Sequence, residues 1–258
     1  RELLQNTQQT FLEKKIAILG GSTTRDIRDI LELFLLNYGI RPCFYESEYN
    51  QYYADGMFPN PALEEFHPDI LYIHTSNRNI EQYPSLEDDR TLVTQKLQAE
   101  YERFQALWEH LHAVYGCPVI QNNFEPPLYR LLGNRDASDH RGRWNYIQRL
   151  NQMFYEYADT HQDFYIHDIC YEAADYGLER WSDPFYWNMY KYAMCVPAIP
   201  YTAFQLARII KSIFGRNKKV LNLDLDNTLW GGVIGDDGPE NIEIGQETSL
   251  GQTYAEFQ

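Results

Sequence analysis

The sequence predicts a doubly wound α/β fold built around a five-stranded parallel sheet. Five short apolar runs are separated by longer segments in which apolar residues recur at helical spacing. Strands that alternate with helices favour βαβ crossovers, which place helices on both faces of a parallel sheet. The alternation is complete before Arg216.

The first half of the chain contains three of the predicted strands. The run KKIAILGGS is bounded by glycines, and the helix after it has hydroxyl and acidic residues at its start and Gly39 at its end. A long amphipathic pattern later closes at Gly116. The predicted elements, in order, are strand 14–22, helix 23–39, strand 40–47, strand 67–76 and helix 86–115.

The second half contains the remaining two strands. A polar loop, GNRDASDHRGR, precedes its first helix, and three prolines interrupt the helical pattern that leads to Phe214. The predicted elements are strand 117–124, helix 144–160, strand 163–169 and helical pieces broken at Pro184, Pro197 and Pro200. This alternation is typical of a flavodoxin-like domain that ends near Gly215.

Composition narrows the function classes. The net charge of −15 argues against nucleic acid as a partner, since a phosphate backbone requires a basic face. No apolar run reaches the ~20 residues of a membrane span, and the polar start of the chain does not resemble a signal peptide. The cysteines, Cys43, Cys117, Cys170 and Cys195, form no CxxC pair. Buried free thiols in a reducing cytoplasm are therefore expected.

Polar side chains follow four of the five predicted strands. The strand ends read GGSTT, HTSNRN, QNNFEPP and HDI. In open α/β sheets, ligands bind in the crevice beyond the carboxyl ends of the strands. The position of these residues therefore favours a binding site there.

Three of these blocks resemble the spaced motifs of SGNH (GDSL-type) hydrolases. They are ILGGST after the first strand, TSNR after the third and SDPFYW before the last helices. The resemblance implies that Ser22 takes the nucleophile position, Asn77 the oxyanion-hole position and Asp183 the position of the triad acid.

This sequence departs from the SGNH pattern at positions that the hydrolase reaction requires. Gly21 replaces an aspartate, Thr75 a glycine and Arg78 another aspartate. Three residues after Asp183, where the family has its histidine base, stands Tyr186. Because a tyrosine with a pKa of about 10 is a weak base at neutral pH, we expect this domain to be inactive as a hydrolase.

Two alternatives remain open at this site. His74 and His167 lie at strand ends and could replace the missing base, in which case Ser22 would support a weak esterase. Ser22, Thr23 and Thr24 also stand where a helix N-cap belongs, so that any of the three hydroxyls could cap the following helix. Such a helix start can also bind an anion.

The stretch VLNLDLDNTL fits the first motif of haloacid-dehalogenase (HAD) phosphotransferases, an apolar strand followed by DxDxT. The resemblance implies that Asp224 is the phosphorylated nucleophile and that Asp226 transfers protons. Thr228 would approach the phosphoryl oxygens, and Mg²⁺ would bind Asp224 and the main-chain carbonyl of Asp226. An EF-hand does not fit, because Leu229 occupies the position that requires glycine.

The continuation DLDNTLWGGVIGDDGPENIEIG resembles the signature of the FkbH-like branch of the HAD superfamily, which also carries an SGNH-like domain before the HAD domain. The resemblance is weak through residue 215 and strong over 218–245. It implies a bacterial enzyme that removes phosphate from a phosphorylated small molecule. The enzyme would transfer a three-carbon glyceryl unit to an acyl carrier protein.

Two domains are therefore predicted, an SGNH-like domain at 1–215 and the start of a HAD-like domain at 216–258. The second stretch contains only the first strand and loop of such a domain. We expect the 258 residues alone to be inactive in phosphoryl transfer, since later HAD motifs would lie in further sequence. A stand-alone binding module without catalytic activity is the alternative.

Overall fold

A five-stranded parallel sheet organises the first part of the chain in the structure, a computed structural model that describes residues 10–258. The start of the chain, predicted not to be a signal peptide, falls partly on residues 1–9, outside the described residues. The spatial order is β2-β1-β3-β4-β5, the order of flavodoxin-like sheets. The strands are β1 (Leu12–Gly20), β2 (Ile40–Glu46), β3 (Ile70–His74), β4 (Val119–Asn122) and β5 (Phe164–His167). The predicted doubly wound α/β fold is confirmed.

Helices connect the strands and cover both faces of the sheet. The longest, α4, begins after Asp89, whose carboxylate accepts a hydrogen bond from the Leu92 N–H at 2.8 Å. The helices of this part are α1 (Arg25–Asn37), α2 (Tyr52–Met57), α3 (Pro61–Phe66), α4 (Arg90–Tyr115), α5 (Arg143–Thr160), α6 (Ile169–Tyr176), α7 (Leu178–Trp181), α8 (Pro184–Tyr190) and α9 (Ile199–Ile213). Short 3₁₀ turns lie at Asn77–Asn79, Gly133–Ala137 and Val196–Ala198.

Two apolar clusters hold the layers together, because successive side chains of β1 point to opposite faces. Ala17 and Leu19 pack into one cluster with Phe104 and Trp108 of α4. Ile16 and Ile18 pack into the other, which includes the inner faces of α1 and α9. All residues from Ile16 to Leu19 are fully buried. Burial of each large apolar side chain contributes about 1.5–3 kcal/mol, so these residues of β1 stabilise the contact of the sheet with both helical layers.

The prediction that a hydroxyl side chain caps helix α1 is wrong. Thr24 occupies the N-cap position, but no capping hydrogen bond from its side chain is present in the described chain. The Thr24 hydroxyl donates instead to Glu46 at 2.6 Å, and the Thr23 hydroxyl donates to the Tyr190 carbonyl at 2.6 Å. These long-range bonds connect the loop after β1 to β2 and to the end of α8.

The chain divides into two compact units between Gly215 and Arg216. The second unit contains two short helices, α10 (Ile234–Asp237) and α11 (Ser249–Phe257), and one isolated antiparallel pairing of Gly231 with Glu243. Between residues 216 and 258, all of them described, no strand forms. The segment predicted as the first strand is exposed, with Val220 82% accessible. A strand requires a partner for its backbone hydrogen bonds, and these residues supply none.

No helix within residues 10–258 has both the length and the apolar character that crossing a bilayer requires. The four cysteines are free, and their burial differs from the prediction in part. Cys117 and Cys195 are buried, Cys170 is half-buried and Cys43 is exposed.

We predict that residues 1–215 fold without the second unit, because both apolar clusters are formed within them. A chain that ends at Gly215 should unfold in one cooperative thermal transition, monitored by circular dichroism. The intact chain is the control, and a non-cooperative melt of the shortened chain would contradict the prediction.

Candidate functional site

A cleft of about 490 Å³ lies beyond the carboxyl ends of β3 and β4. The loops after these strands contribute Asn77, Arg78 and Glu125, and α5 contributes Arg143. Trp187 of α8 lies on the same cleft. This is the position at which an open α/β sheet binds its ligand.

A buried amide network, formed by Gln121, Asn122 and Asn123, fixes the strand ends beneath the cleft. Asn122 Oδ1 accepts from the Thr75 N–H at 2.7 Å, and its Nδ2 donates to the Thr75 carbonyl. Gln121 Nε2 donates to the Thr75 hydroxyl at 2.9 Å, and its Oε1 accepts from Trp108 Nε1 at 3.1 Å. These amides are therefore structural and are not available to a ligand.

Asn123 extends the network to β5 and α6. Its Nδ2 donates to Asp168 at 2.6 Å, and its Oδ1 accepts from the Cys170 N–H at 2.9 Å. Because a buried polar group left without a partner costs about 1–3 kcal/mol, these reciprocal bonds hold the three loops in one arrangement.

Glu125 is the ionisable group closest to this network that lines the cleft. Its carboxyl group accepts from the Asn77 N–H at 3.2 and 3.3 Å, and the residue is 5% exposed. Burial raises the pKa of Glu125 to about 8. This rise is opposed only in part by hydrogen bonds from the backbone N–H groups of Glu125 and Asn77 and by the positive charge of Arg78. Glu125 therefore carries a proton at neutral pH.

Gly21 is required by a close contact after β1. A Cβ atom at this position would lie 2.6 Å from the side-chain amide of Asn79. That amide donates to the Gly21 carbonyl at 3.0 Å, and its oxygen accepts from the Ser76 N–H at 2.9 Å. The space of the aspartate found in the SGNH motif is thus filled by Asn79.

The structure places the predicted Ser22, Asn77 and Asp183 in different surroundings. Ser22 is 2% exposed, and its hydroxyl has no hydrogen-bond partner among the described residues. Asn77 lines the cleft and donates from Nδ2 to the carbonyls of Glu125 and Pro126 at 3.4 Å.

Asp183 caps the start of α8. Its carboxylate accepts from the N–H groups of Phe185 at 2.9 Å and Tyr186 at 3.4 Å. Within residues 10–258, no hydrogen bond joins Ser22, Asn77 or Asp183 to another of the three. These three residues therefore do not form a connected catalytic set.

The two histidines considered as replacement bases belong to a buried chain on one face of the sheet. The Tyr72 hydroxyl lies 2.8 Å from His74 Nδ1 and 3.1 Å from His167 Nδ1. His167 Nε2 lies 2.6 Å from Glu172, which accepts from the Thr202 hydroxyl at 2.8 Å.

Burial, and next the neighbouring His167, lower the pKa of His74 to about 3. Its Nε2 has no partner in the described part of the chain. His74 is therefore a neutral structural group at neutral pH.

In the second unit, the three predicted HAD residues lie in one loop. The Asp224 carboxylate is exposed and makes no hydrogen bond or ion pair with described residues. Asp226 Oδ1 accepts from Trp230 Nε1 and from the Ile234 N–H, each at 3.1 Å. The Thr228 N–H donates to the Leu225 carbonyl at 3.2 Å.

Asn227 closes the same loop. It adopts φ 55°, and its side chain accepts from the Gly232 N–H at 2.9 Å. Gly232 itself has φ 101°, a conformation that favours glycine, which explains the second glycine of the pair after the motif. The loop is thus formed by its own side chains.

The carboxylate and carbonyl oxygens of this loop are the types of ligand that Mg²⁺ prefers. No group of three or more acidic, histidine or cysteine side chains that could hold a metal occurs among residues 10–258. Mg²⁺ is commonly bound by one or two carboxylates together with water and substrate phosphate, and the unpaired Asp224 carboxylate suits that mode.

Several cleft residues were not predicted from the sequence. They are Glu125, Tyr83 and Arg143, which lie in or beside loops. The strand end QNNFEPP, which contains Glu125, was identified as part of a binding site, but Glu125 itself was not singled out. A carboxylate three residues after a buried strand and before two prolines was the available signal for Glu125. No local pattern indicates that Tyr83 and Arg143 meet.

The comparisons with known proteins agree with this architecture. The family description "FkbH, N-terminal domain" matches residues 15–211. The chain belongs to the FkbH family. No match was found among curated protein sequences.

A solved structure of the N-terminal part of a Bacteroides fragilis protein, containing a phosphatase domain and complexed with Mg, is 25% identical with a TM-score of 0.85. It covers 100% of this chain, and this chain covers 67% of it. A GDSL-like lipase from Bacteroides thetaiotaomicron is 14% identical over 78% of this chain and 88% of its own, with a TM-score of 0.43.

We predict that Glu125 and His74 act in opposite directions on the pH dependence of stability. The folded state holds an extra proton on Glu125 between pH 4.5 and 8, so this group makes the free energy of unfolding fall as pH rises. Between pH 3 and 6.5, His74 is protonated in the unfolded state but not in the folded state, so this group makes the free energy of unfolding rise with pH.

Between pH 6.5 and 8 only Glu125 of this pair acts, and the free energy of unfolding should fall by about 1–2 kcal/mol. Urea unfolding at both pH values should detect this fall in wild type and in the exposed control Glu87→Gln. Glu125→Gln should abolish it. An equal fall in Glu125→Gln would refute the assignment.

Proposed function

We propose that the chain is part of an FkbH-like enzyme that removes a phosphoryl group from a small-molecule substrate. The observation that carries this proposal is the geometry of the DxDxT loop. The Asp224 carboxylate makes no hydrogen bond with the described residues, and the Asp226 carboxylate, two residues later, is held by two hydrogen bonds. Asp224 is the nucleophile: its carboxylate oxygen forms a bond to phosphorus, the bond between phosphorus and the substrate oxygen breaks, and the substrate leaves as its hydroxyl compound, after which water hydrolyses the aspartyl-phosphate. An exposed carboxylate without a competing partner suits that role.

Asp226 acts as general acid and later as general base. Its Oδ1 is held by Trp230 and the Ile234 N–H, so the side chain has a defined direction. Its Oδ2 makes no hydrogen bond with the described residues and is free to transfer a proton. Thr228, on the same turn, binds phosphoryl oxygens through its hydroxyl group.

Mg²⁺ is the proposed metal, held by the Asp224 carboxylate and the main-chain carbonyl of Asp226. When bound, it offsets the negative charge of the phosphoryl group. The Mg complex of the related Bacteroides fragilis protein supports this choice.

Membership of the FkbH family supports a finer proposal about substrate and partner. The phosphorylated substrate carries a three-carbon glyceryl unit, which the enzyme transfers to the thiol of an acyl carrier protein. The first unit, as an SGNH-like domain without hydrolase activity, positions the substrate or the carrier.

We predict that Asp224→Asn abolishes phosphate release by the complete gene product in the presence of Mg²⁺. An amide is a poor nucleophile and a weaker magnesium ligand than a carboxylate. Asp226→Asn should reduce the rate by about 10²–10⁴-fold, the usual contribution of proton transfer, and should leave trapped aspartyl-phosphate. Rates are measured by phosphate release, and the phosphoenzyme by mass spectrometry.

The matched control is Asp236→Asn, an exposed aspartate of the same unit, which should retain wild-type activity. Retention of a tenth or more of the activity in Asp224→Asn would contradict the proposed nucleophile.

A further inference from the structure

The cleft beside Glu125 carries two arginines whose charges are unpaired. Within residues 10–258, the guanidinium groups of Arg78 and Arg143 make no hydrogen bond or ion pair. The chain has 37 acidic against 22 basic residues, and other arginines such as Arg28, Arg103 and Arg141 form ion pairs. Because both line the same cleft, these two guanidinium groups are available to a ligand there.

Both guanidinium groups stack on aromatic rings of the cleft. Arg78 lies 4.3 Å from the ring centroid of Trp187, and Arg143 lies 4.8 Å from that of Tyr83. Stacking restrains the side chain but leaves the edge of the guanidinium plane free. That edge presents parallel N–H donors, which match the two oxygens of a carboxylate or phosphate.

The remaining wall of the cleft suits an apolar group. Pro126, Pro127 and Leu128 line it beside Trp187, and its volume of about 490 Å³ falls within the usual range for small-molecule sites. Glu125 is its one carboxyl group among the described residues, and the proton that it holds at neutral pH removes the negative charge that would repel an anion.

We propose that this cleft binds a small organic acid, whose oxyanion lies against Arg78 and Arg143 and whose apolar part lies against Trp187. This function is separate from the phosphoryl-transfer loop and does not depend on Asp224. The acid is a carboxylate or a phosphate monoester, which share the oxyanion chemistry.

The test is isothermal titration of the intact chain at pH 7 with benzoate, phenyl phosphate and the uncharged analogue benzamide. One of the two acids should bind in a saturable manner, and the tighter one identifies the oxyanion. Benzamide should bind at least tenfold more weakly than that acid, because it lacks the charge. Absence of saturable binding by both acids, or equal binding of benzamide, would overturn the proposal.

Arg78→Gln and Arg143→Gln should each weaken the preferred acid about tenfold or more. The matched control is Arg208→Gln, because Arg208 also stacks on an aromatic ring, Phe204, but does not line the cleft. Equal affinities in all three variants would contradict the proposal, and unchanged thermal midpoints verify folding.

The dependence on pH tests the part of Glu125. The ionisable groups that interact with it are Arg78, Tyr83 and Cys170, and Arg143 lines the same cleft. Burial raises the pKa of Tyr83 far above its usual value and that of Cys170 to about 11. Ionisation of Glu125 with a pKa of about 8 should weaken binding of the preferred acid about tenfold between pH 7 and 9. Glu125→Gln should remove this dependence, and a constant wild-type affinity would refute the role of Glu125.

Discussion

The buried amide network at the end of β4 is the constraint on which the rest of the first unit depends. Gln121, Asn122 and Asn123 satisfy backbone and side-chain groups of the loops after β3 and β5. Their own donors and acceptors are consumed in doing so. The network thereby sets the path of the loop to Glu125 and Asn77, and so the shape of the cleft. The polar residues at the end of β4, which suggest a binding site in the sequence, instead support the loops that line the cleft.

The positions that correspond to the SGNH motif make structural contacts of their own. Asn79 fills the space of the absent aspartate at Gly21, and Ser22 is buried without a partner. Asp183 is used to cap α8, and His74 is kept neutral by burial. Among the described residues, Ser22 and Asp183 thus have no connection to a base, whereas Asn77, Arg78 and Trp187 of the same motif blocks line the cleft beside Glu125.

The fold was largely predictable, because hydrophobic periodicity and glycine or proline boundaries report on local structure. The β1 run and the long helix before Gly116 are examples. The hydroxyl cap of α1 was mispredicted because Thr23 and Thr24 bond to residues distant in sequence, which no local pattern reveals. The pairing of Tyr83 with Arg143 depends on the same kind of long-range contact. In the second unit, the DxDxT motif was recognisable because its chemistry requires these residue types at this spacing. The apolar run before it was predicted as a strand but does not form one, since a strand requires a partner for its backbone hydrogen bonds.

The central hypothesis is that Ser22 is neither accessible to substrate nor activated by a base. Its most direct test is incubation of the intact chain with a fluorophosphonate, which modifies activated serine hydroxyls, followed by digestion and mass spectrometry of the peptide that contains Ser22. The account predicts an unmodified peptide after a time that suffices to label an active serine esterase completely. A stoichiometric phosphonate adduct on Ser22 would contradict it.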